Sequence, residues 1–284
     1  MDDIRKICKK YGIYDYTINN DGSIDVNGSV DLTHNGLKKL PLKFNYIGGN
    51  FNCSYNNLTT LEGSPKQVDG YFDCENNDLT SLEYSPEYVE HSFFCNDNKL
   101  TSLEHLPKEI GLSIFCYTNE LTSLEFSPVE VGGSFNCSNN SLTSLKHGPE
   151  KVGEDFGCSN NKLTSLEYSP IEVNGYFSCS DNKYLTSLEY GPKKVGGDFF
   201  SRNSPIKNLY GISDYIGGFL HVSGGGNPVG VIINKPVDID FIRAFNSYRV
   251  IKDNKVVLKR LKYVMETFDM KYDLDKIKEH YEIN

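Results

Sequence analysis

The stretch FNCSNNSLTSLKHGP, residues 135–149, sets Phe135, Cys137, Asn140, Leu142, Leu145 and Pro149 at spacings that recur along the chain. Cysteines at 53, 74, 95, 116, 137, 158 and 179 follow one another every 21 residues. Two residues before each stands Phe, or Ile114 once, and three residues after each stands Asn. Leucines follow at plus five and plus eight, a proline at plus twelve, and Val or Ile at plus fifteen, until one residue is inserted near Lys183–Tyr184. A fixed period of this size marks a solenoid or array. Val30, Leu32, Asn35, Leu37, Leu40 and Ile47 fit the frame one repeat earlier. Phe199, Ser201, Ile206, Leu209 and Ile216 fit it after the insertion, and Leu220 and Val222 begin a last rung. The frame therefore predicts ten rungs from Val30 to Val222.

The cysteine slot accepts Leu32 at the first rung and Val222 at the last, so it wants a small or medium apolar group. Free cysteine behaves as a small buried hydrophobe. A zinc site would need clustered ligands at short spacing, and a disulfide ladder would need an oxidising compartment. The expectation is a column of reduced core thiols.

One repeat reads F-x-C-x-x-N-x-L-x-x-L, then P-x-x-V. The alternation F-x-C is a strand signal with Phe and Cys on one face. Asn follows where the chain must turn, and its amide can satisfy backbone groups of its own and neighbouring rungs. Pro and Gly set the back and the next corner. No segment within a repeat is long enough for a helix, so the returning side should be extended, irregular or briefly β-like.

These residues carry a resemblance. L-x-L-x-x-N-x-L-x-x-L is the leucine-rich-repeat signature, and the chain resembles it from residue 30 to about 223 with F-x-C for L-x-L. The variant C-S-x-N-x-L-T-S-L-E-x-x-P-x-x-V-G-G is similar to leucine-rich-repeat proteins encoded by large tailed bacteriophages. The opening YTINNDGSIDVNGSVDL and the tail LKRLKYVMETFDMKYDLDKIKEHYEI resemble the caps of that group. The resemblance implies a leucine-rich-repeat solenoid with a parallel β-sheet on one face, and a phage origin. Effector ubiquitin ligases of bacteria also carry short repeats, but the residues after 224 are too few for their catalytic domain.

The expected organisation is an N-terminal cap over 1–28, the solenoid over 29–223 and a helical C-terminal cap over 224–284. Residues 1–12 read as a short helix and 14–26 as a hairpin around Asp21–Gly22. GGGNP at 224–228 reads as a hinge or turn, and 239–250, 254–268 and 273–283 read as helices, the last with Asp273 as N-cap. Both ends of a stacked sheet need such covers.

Net charge is −9, which argues against a nucleic-acid partner, since that needs a basic face. No apolar run reaches membrane-spanning length, and MDDIRKICKKYGI has no signal-peptide core. With eight cysteines that look unpaired, a reducing cytoplasm is expected. The six histidines, at 34, 91, 105, 147, 221 and 280, share no ligand spacing. No phosphate loop or nucleophile–base set is found, so neither an enzyme nor a cofactor or metal site is expected.

What remains is surface. Outward strand positions are mostly small or polar, with two exceptions. Tyr71, Phe94, Phe115 and Tyr117 occupy three neighbouring rungs, and Tyr176, Phe200, Arg202, Phe219 and His221 occupy the last three. Aromatics with Arg are the usual anchors of protein interfaces, and cross-strand packing is the competing explanation. A column of Glu62, Glu83, Glu104, Glu125, Glu167 and Glu189, broken by Lys146, reads as a solvated edge. Lysines near the following proline are placed to offset it. The basic run Lys255, Lys259, Arg260, Lys262 reads as the wet face of a capping helix. The expected function is a non-enzymatic solenoid binding a host protein. The alternatives are a virion or host-surface component recognising a receptor or glycan, and a cryptic enzyme in the tail.

Overall fold

A computed structural model describes residues 2–222, 229, 237–252 and 255–284; the GGGNP turn expected at 224–228 lies outside them. The chain forms two compact units, residues 1–141 and 142–284. Each is a parallel β-solenoid, and together they hold about nine turns of the repeat.

In the first unit every F-x-C alternation becomes a two-residue strand. Val30–Asp31, Phe51–Asn52, Phe72–Asp73, Phe93–Phe94, Ile114–Phe115 and Phe135–Asn136 pair in parallel, each aligned with the residue 21 positions on. In the second unit Phe156–Gly157, Phe177–Ser178, Phe199–Phe200 and Leu220–His221 do the same. The inserted residue is absorbed between Phe177 and its partner Phe199. Tyr184, at the insertion, is exposed, so the extra residue bulges outward without disturbing the register.

The returning side is β-like, as its Val suggested. Gln67–Val68 pairs with Tyr88–Val89, and that with Glu109–Ile110, in the first unit. Lys151–Val152, Glu172–Val173, Lys194–Val195 and Tyr215–Ile216 pair in the second. The corner between the two strands of a rung is tight. A Cβ on Gly70 would lie 2.8 Å from the backbone of Gly49, so glycine is needed at this rung, while His91, Leu112 and Glu154 hold the same place in others.

The core is a set of columns. Phe51, Phe72 and Phe93 stack at 5.4 Å with rings nearly parallel. The seven repeat cysteines are wholly buried and free, which matches the reduced-thiol expectation. The thiol slot is more than apolar. Cys74 Sγ donates to Phe94 O at 3.3 Å, and Cys116 Sγ to Asn136 O at 3.4 Å, so some thiols tie one rung to the next.

The Asn column does what the bend requires. Asn77 Nδ2 lies 3.1 Å from the carbonyls of Cys53, Cys74 and Glu75, and its Oδ1 accepts from Leu58 N at 2.9 Å. Asn98 and Asn119 repeat the arrangement, and so does Asn182 in the second unit. Each amide thereby closes its own bend and clamps the preceding rung, where no regular ladder reaches.

The first unit begins with α1 (Asp2–Lys10) and the antiparallel hairpin β1 (Tyr16–Ile18) and β2 (Ile24–Val26), close to expectation. β2 continues the returning sheet by pairing with Phe44–Ile47. In the second unit the tail forms α2 (Ile239–Ser247), α3 (Leu258–Thr267) and α4 (Leu274–Lys278). Asp273 caps α4 as predicted, accepting from Asp275 N and Lys276 N. The helix expected over 273–283 stops early, because Glu282–Ile283 joins a small sheet beside Lys255–Val256. The tail docks on the last rungs. Tyr281 Oη donates to Lys207 O at 2.7 Å, Asn246 Nδ2 to Leu209 O at 2.8 Å, and Tyr210 Oη to Ile251 O. The carbonyls of Lys207 and Leu209 would otherwise face no further rung.

Candidate functional site

The polar lanes beside the aromatics are structural. Asn50 Oδ1 accepts from Tyr71 N at 3.1 Å, and Ser113 Oγ from Ser134 N at 2.9 Å. Asp73 Oδ1 accepts from Glu75 N at 3.0 Å in the same strand. Small polar residues on this face therefore hold the backbone of neighbouring rungs.

In the first unit Tyr71, Phe94 and Phe115 come together. Phe94 stacks on Phe115 at 5.0 Å, and Tyr71 meets Phe94 edge-on at 5.9 Å. All three, and Tyr117, are half-buried rather than fully exposed. Much of their area is thus spent on one another, as cross-strand packing predicts. Beside them lies an acidic patch. Asn96 Nδ2 bridges Glu75 Oε2 at 2.7 Å and Asp97 Oδ2 at 2.8 Å. Burial pushes the Asp73 carboxyl up to about 7, against the pull of its bond from Glu75 N. Burial and the charges of Glu75 and Asp97 raise the Tyr117 phenol.

In the second unit the aromatics build a different arrangement. His221 stacks on Phe200 at 4.4 Å, and Tyr176 meets Phe200 at 6.0 Å. His221 Nε2 lies 2.9 Å from Asp198 Oδ2, and Arg202 Nη2 lies 2.9 Å from His221 Nδ1. A guanidinium only donates, so Nδ1 accepts and Nε2 carries the proton toward Asp198. Asp198 is fixed in turn by Phe219 N at 2.9 Å. Both ring nitrogens are thus engaged by side chains of the same face. Arg202 also sits 5.7 Å from the Phe200 ring. Tyr176, Arg202 and Phe219 remain exposed around the stack. The arrangement is a rigid aromatic platform with one oriented cation.

A second set of exposed aromatics lies at turns rather than on strands. Residues 82–85, 103–106 and 124–127 form turns closed by Ser85 N to Leu82 O, Leu106 N to Leu103 O and Ser127 N to Leu124 O. The third residue of each has positive φ: Tyr84 at 70°, His105 at 69° and Phe126 at 72°. The second does not, which makes these type II turns, whose third position favours Gly or Asn. Gly63 holds that position one turn earlier. A bulky residue there costs about 1–2 kcal/mol. Tyr84 and Phe126 are each 53% exposed, so the strained backbone holds rings in water. The second unit repeats the feature at His147, Tyr168 and Tyr190. The preceding glutamates are locked by serine hydroxyls, as where Glu83 N donates to Ser81 Oγ at 3.0 Å. In the sequence this column stands ten residues after each cysteine from Cys74 to Cys158, and eleven after Cys179 because of the inserted residue.

The glutamate column differs from expectation. Lys108 pairs with Glu87 at 2.8 Å, not with Glu83 or Glu104. None of Glu62, Glu83, Glu104 and Glu125 has an ion-pair partner among the described residues. Among the described residues, no group of three or more His, Cys, Asp or Glu is placed to hold a metal ion. No described helix is long and apolar enough to cross a membrane.

Neither a protein-family model nor a curated protein matches the chain.

Proposed function

We propose that this chain is a non-enzymatic, protein-binding solenoid, encoded by a phage and acting on a host protein in the cytoplasm of the infected cell. The observation that carries the binding reading is the platform of Phe200, His221 and Arg202 flanked by exposed Tyr176 and Phe219. Interface anchors are rigid aromatics and oriented arginines, and this set is held by Asp198 and by neighbouring strands before any partner arrives. Rungs that repeat with little change offer such a surface without a closed pocket. The non-enzymatic part rests on the sequence, in which no nucleophile–base set or phosphate loop is found. The phage origin rests on the resemblance of the repeat and caps.

The test is capture from a lysate of the native host by the tagged chain. Wild type is compared with Phe200→Ser/Arg202→Ser and with Phe94→Ser/Phe115→Ser/Tyr117→Ser, each first shown to be folded by circular dichroism. The reading expects a stoichiometric protein lost with the Phe200/Arg202 variant. Capture that neither folded variant alters would place the contact away from the sheet face.

A further inference from the structure

We infer that the turn tips of the first unit, Tyr84, His105 and Phe126 with Glu83, Glu104 and Glu125, bind an extended arginine-rich polypeptide segment in the polyproline II conformation. This surface lies at the turns, not on the strands, so it stands or falls independently of the platform in the second unit.

The rings are the first ground. Three successive turns place an aromatic or His where the backbone favours Gly or Asn, and leave it in solvent. Packing does not explain this, because Tyr84 and Phe126 are more than half exposed. The repeat itself sets positive φ at this position in turn after turn, so what calls for an occupant is the choice of an aromatic or His there over Gly or Asn.

Charge selects the occupant. Each ring follows a glutamate in the same turn, and none of those glutamates has an ion-pair partner among the described residues. Lys108, two residues past the His105 turn, is held by Glu87 at 2.8 Å. Aromatic faces attract cations, guanidinium most often, and a carboxylate beside the ring receives the guanidinium edge. A neutral or acidic partner would leave the carboxylates uncompensated.

Spacing selects the conformation. The turns are bracketed by bonds between neighbouring rungs, Lys99 N to Leu79 O on one side and Lys108 N to Glu87 O on the other. Successive tips are thus held at the strand spacing, about 4.8 Å. Tyr84 and Phe126 are two rungs apart, about 9.6 Å. A polyproline II chain advances about 3.1 Å per residue and returns to the same side after three, about 9.3 Å. Arginines at i and i+3 therefore meet Tyr84 and Phe126 in register. An extended β-strand repeats its side every two residues, about 6.7 Å, and does not.

The test is fluorescence anisotropy with the full chain and three labelled peptides: a repeated Arg-Pro-Pro, a repeated Glu-Pro-Pro and an alternating Arg-Thr. Arg-Pro-Pro is expected to bind, more weakly as salt rises, and at least tenfold more tightly than the other two. Tyr84→Asn/Phe126→Asn is expected to lose that binding at least tenfold with an unchanged or higher melting temperature, because Asn accepts the left-handed backbone. Glu83→Gln/Glu104→Gln/Glu125→Gln is expected to weaken binding and flatten its salt dependence. The inference is overturned if Arg-Pro-Pro fails to bind, if the Asn variant binds it as wild type does, or if what the Asn variant loses is binding of a neutral oligosaccharide instead.

Discussion

Raising the pH from about 8.5 to 9.5 should strip this protein of about 4 kcal/mol of stability through its thiols. Cys53, Cys74, Cys95, Cys116, Cys137 and Cys179 are wholly buried, and burial holds each thiol above its ordinary value near 9, with Cys116 pushed up to about 12. In the unfolded chain they ionise near 9; in the folded chain they stay protonated. Above pH 9 the folded state binds more protons, so stability falls as pH rises. Between pH 8.5 and 9.5 each thiol forfeits about 0.7 kcal/mol, and the six together about 4 kcal/mol. A domain's whole stability is about 5–15 kcal/mol, so the loss is large. Urea unfolding followed by circular dichroism at the two pH values, in reductant, measures it. Cys116→Ala should start less stable, since it loses packing and the bond to Asn136 O, yet its drop with pH should shrink by about 0.7 kcal/mol. A stability that stays flat across this range would refute the buried-thiol account, as would native thiols that react with a thiol reagent like free cysteine.

Further outcomes follow from single residues. Asn77→Ala should cost at least about 3 kcal/mol in denaturant unfolding, because Leu58 N and three carbonyls lose their partner; Asn77→Asp should be no better, since a carboxylate oxygen replaces the donor. The Asp73 carboxyl, raised to about 7, binds a proton in the folded state that the unfolded chain releases near 4. Stability should therefore fall as pH rises from about 4 to 7, and Asp73→Asn should recover about 1–2 kcal/mol at pH 8 after allowance for partial exposure. Tyr281→Phe removes the bond from the tail to Lys207 O and should cost about 1 kcal/mol, seen as a lower melting temperature with the aromatic platform intact.

Much of this was legible because the repeat constrains each rung against its neighbours. The F-x-C strands follow from a period-2 alternation, and the Asn clamp follows from asking where the bend's backbone groups find partners. The tail was less legible. Glu282–Ile283 pairs with Lys255–Val256, which no local pattern announces, so the helices expected over 254–268 and 273–283 are both shorter in the structure. The strand-face aromatics were found by position, but whether Phe94 and Phe115 spend their area on each other depends on a 5.0 Å stack that spacing cannot fix. The turn-tip aromatics were missed because Tyr84 and Phe126 contradict the turn they occupy: a type II turn calls for Gly or Asn there. A sequence that violates its own turn chemistry in consecutive repeats is itself a signal of function.

The proposed function puts a protein partner on the sheet face of the second unit. The most direct measurement is hydrogen–deuterium exchange of the chain alone and with the captured host protein. The account predicts slowed exchange in the rungs that carry Tyr176, Phe200, Arg202, Phe219 and His221. Protection that spares these rungs and falls on the returning strands or the tail helices would contradict it.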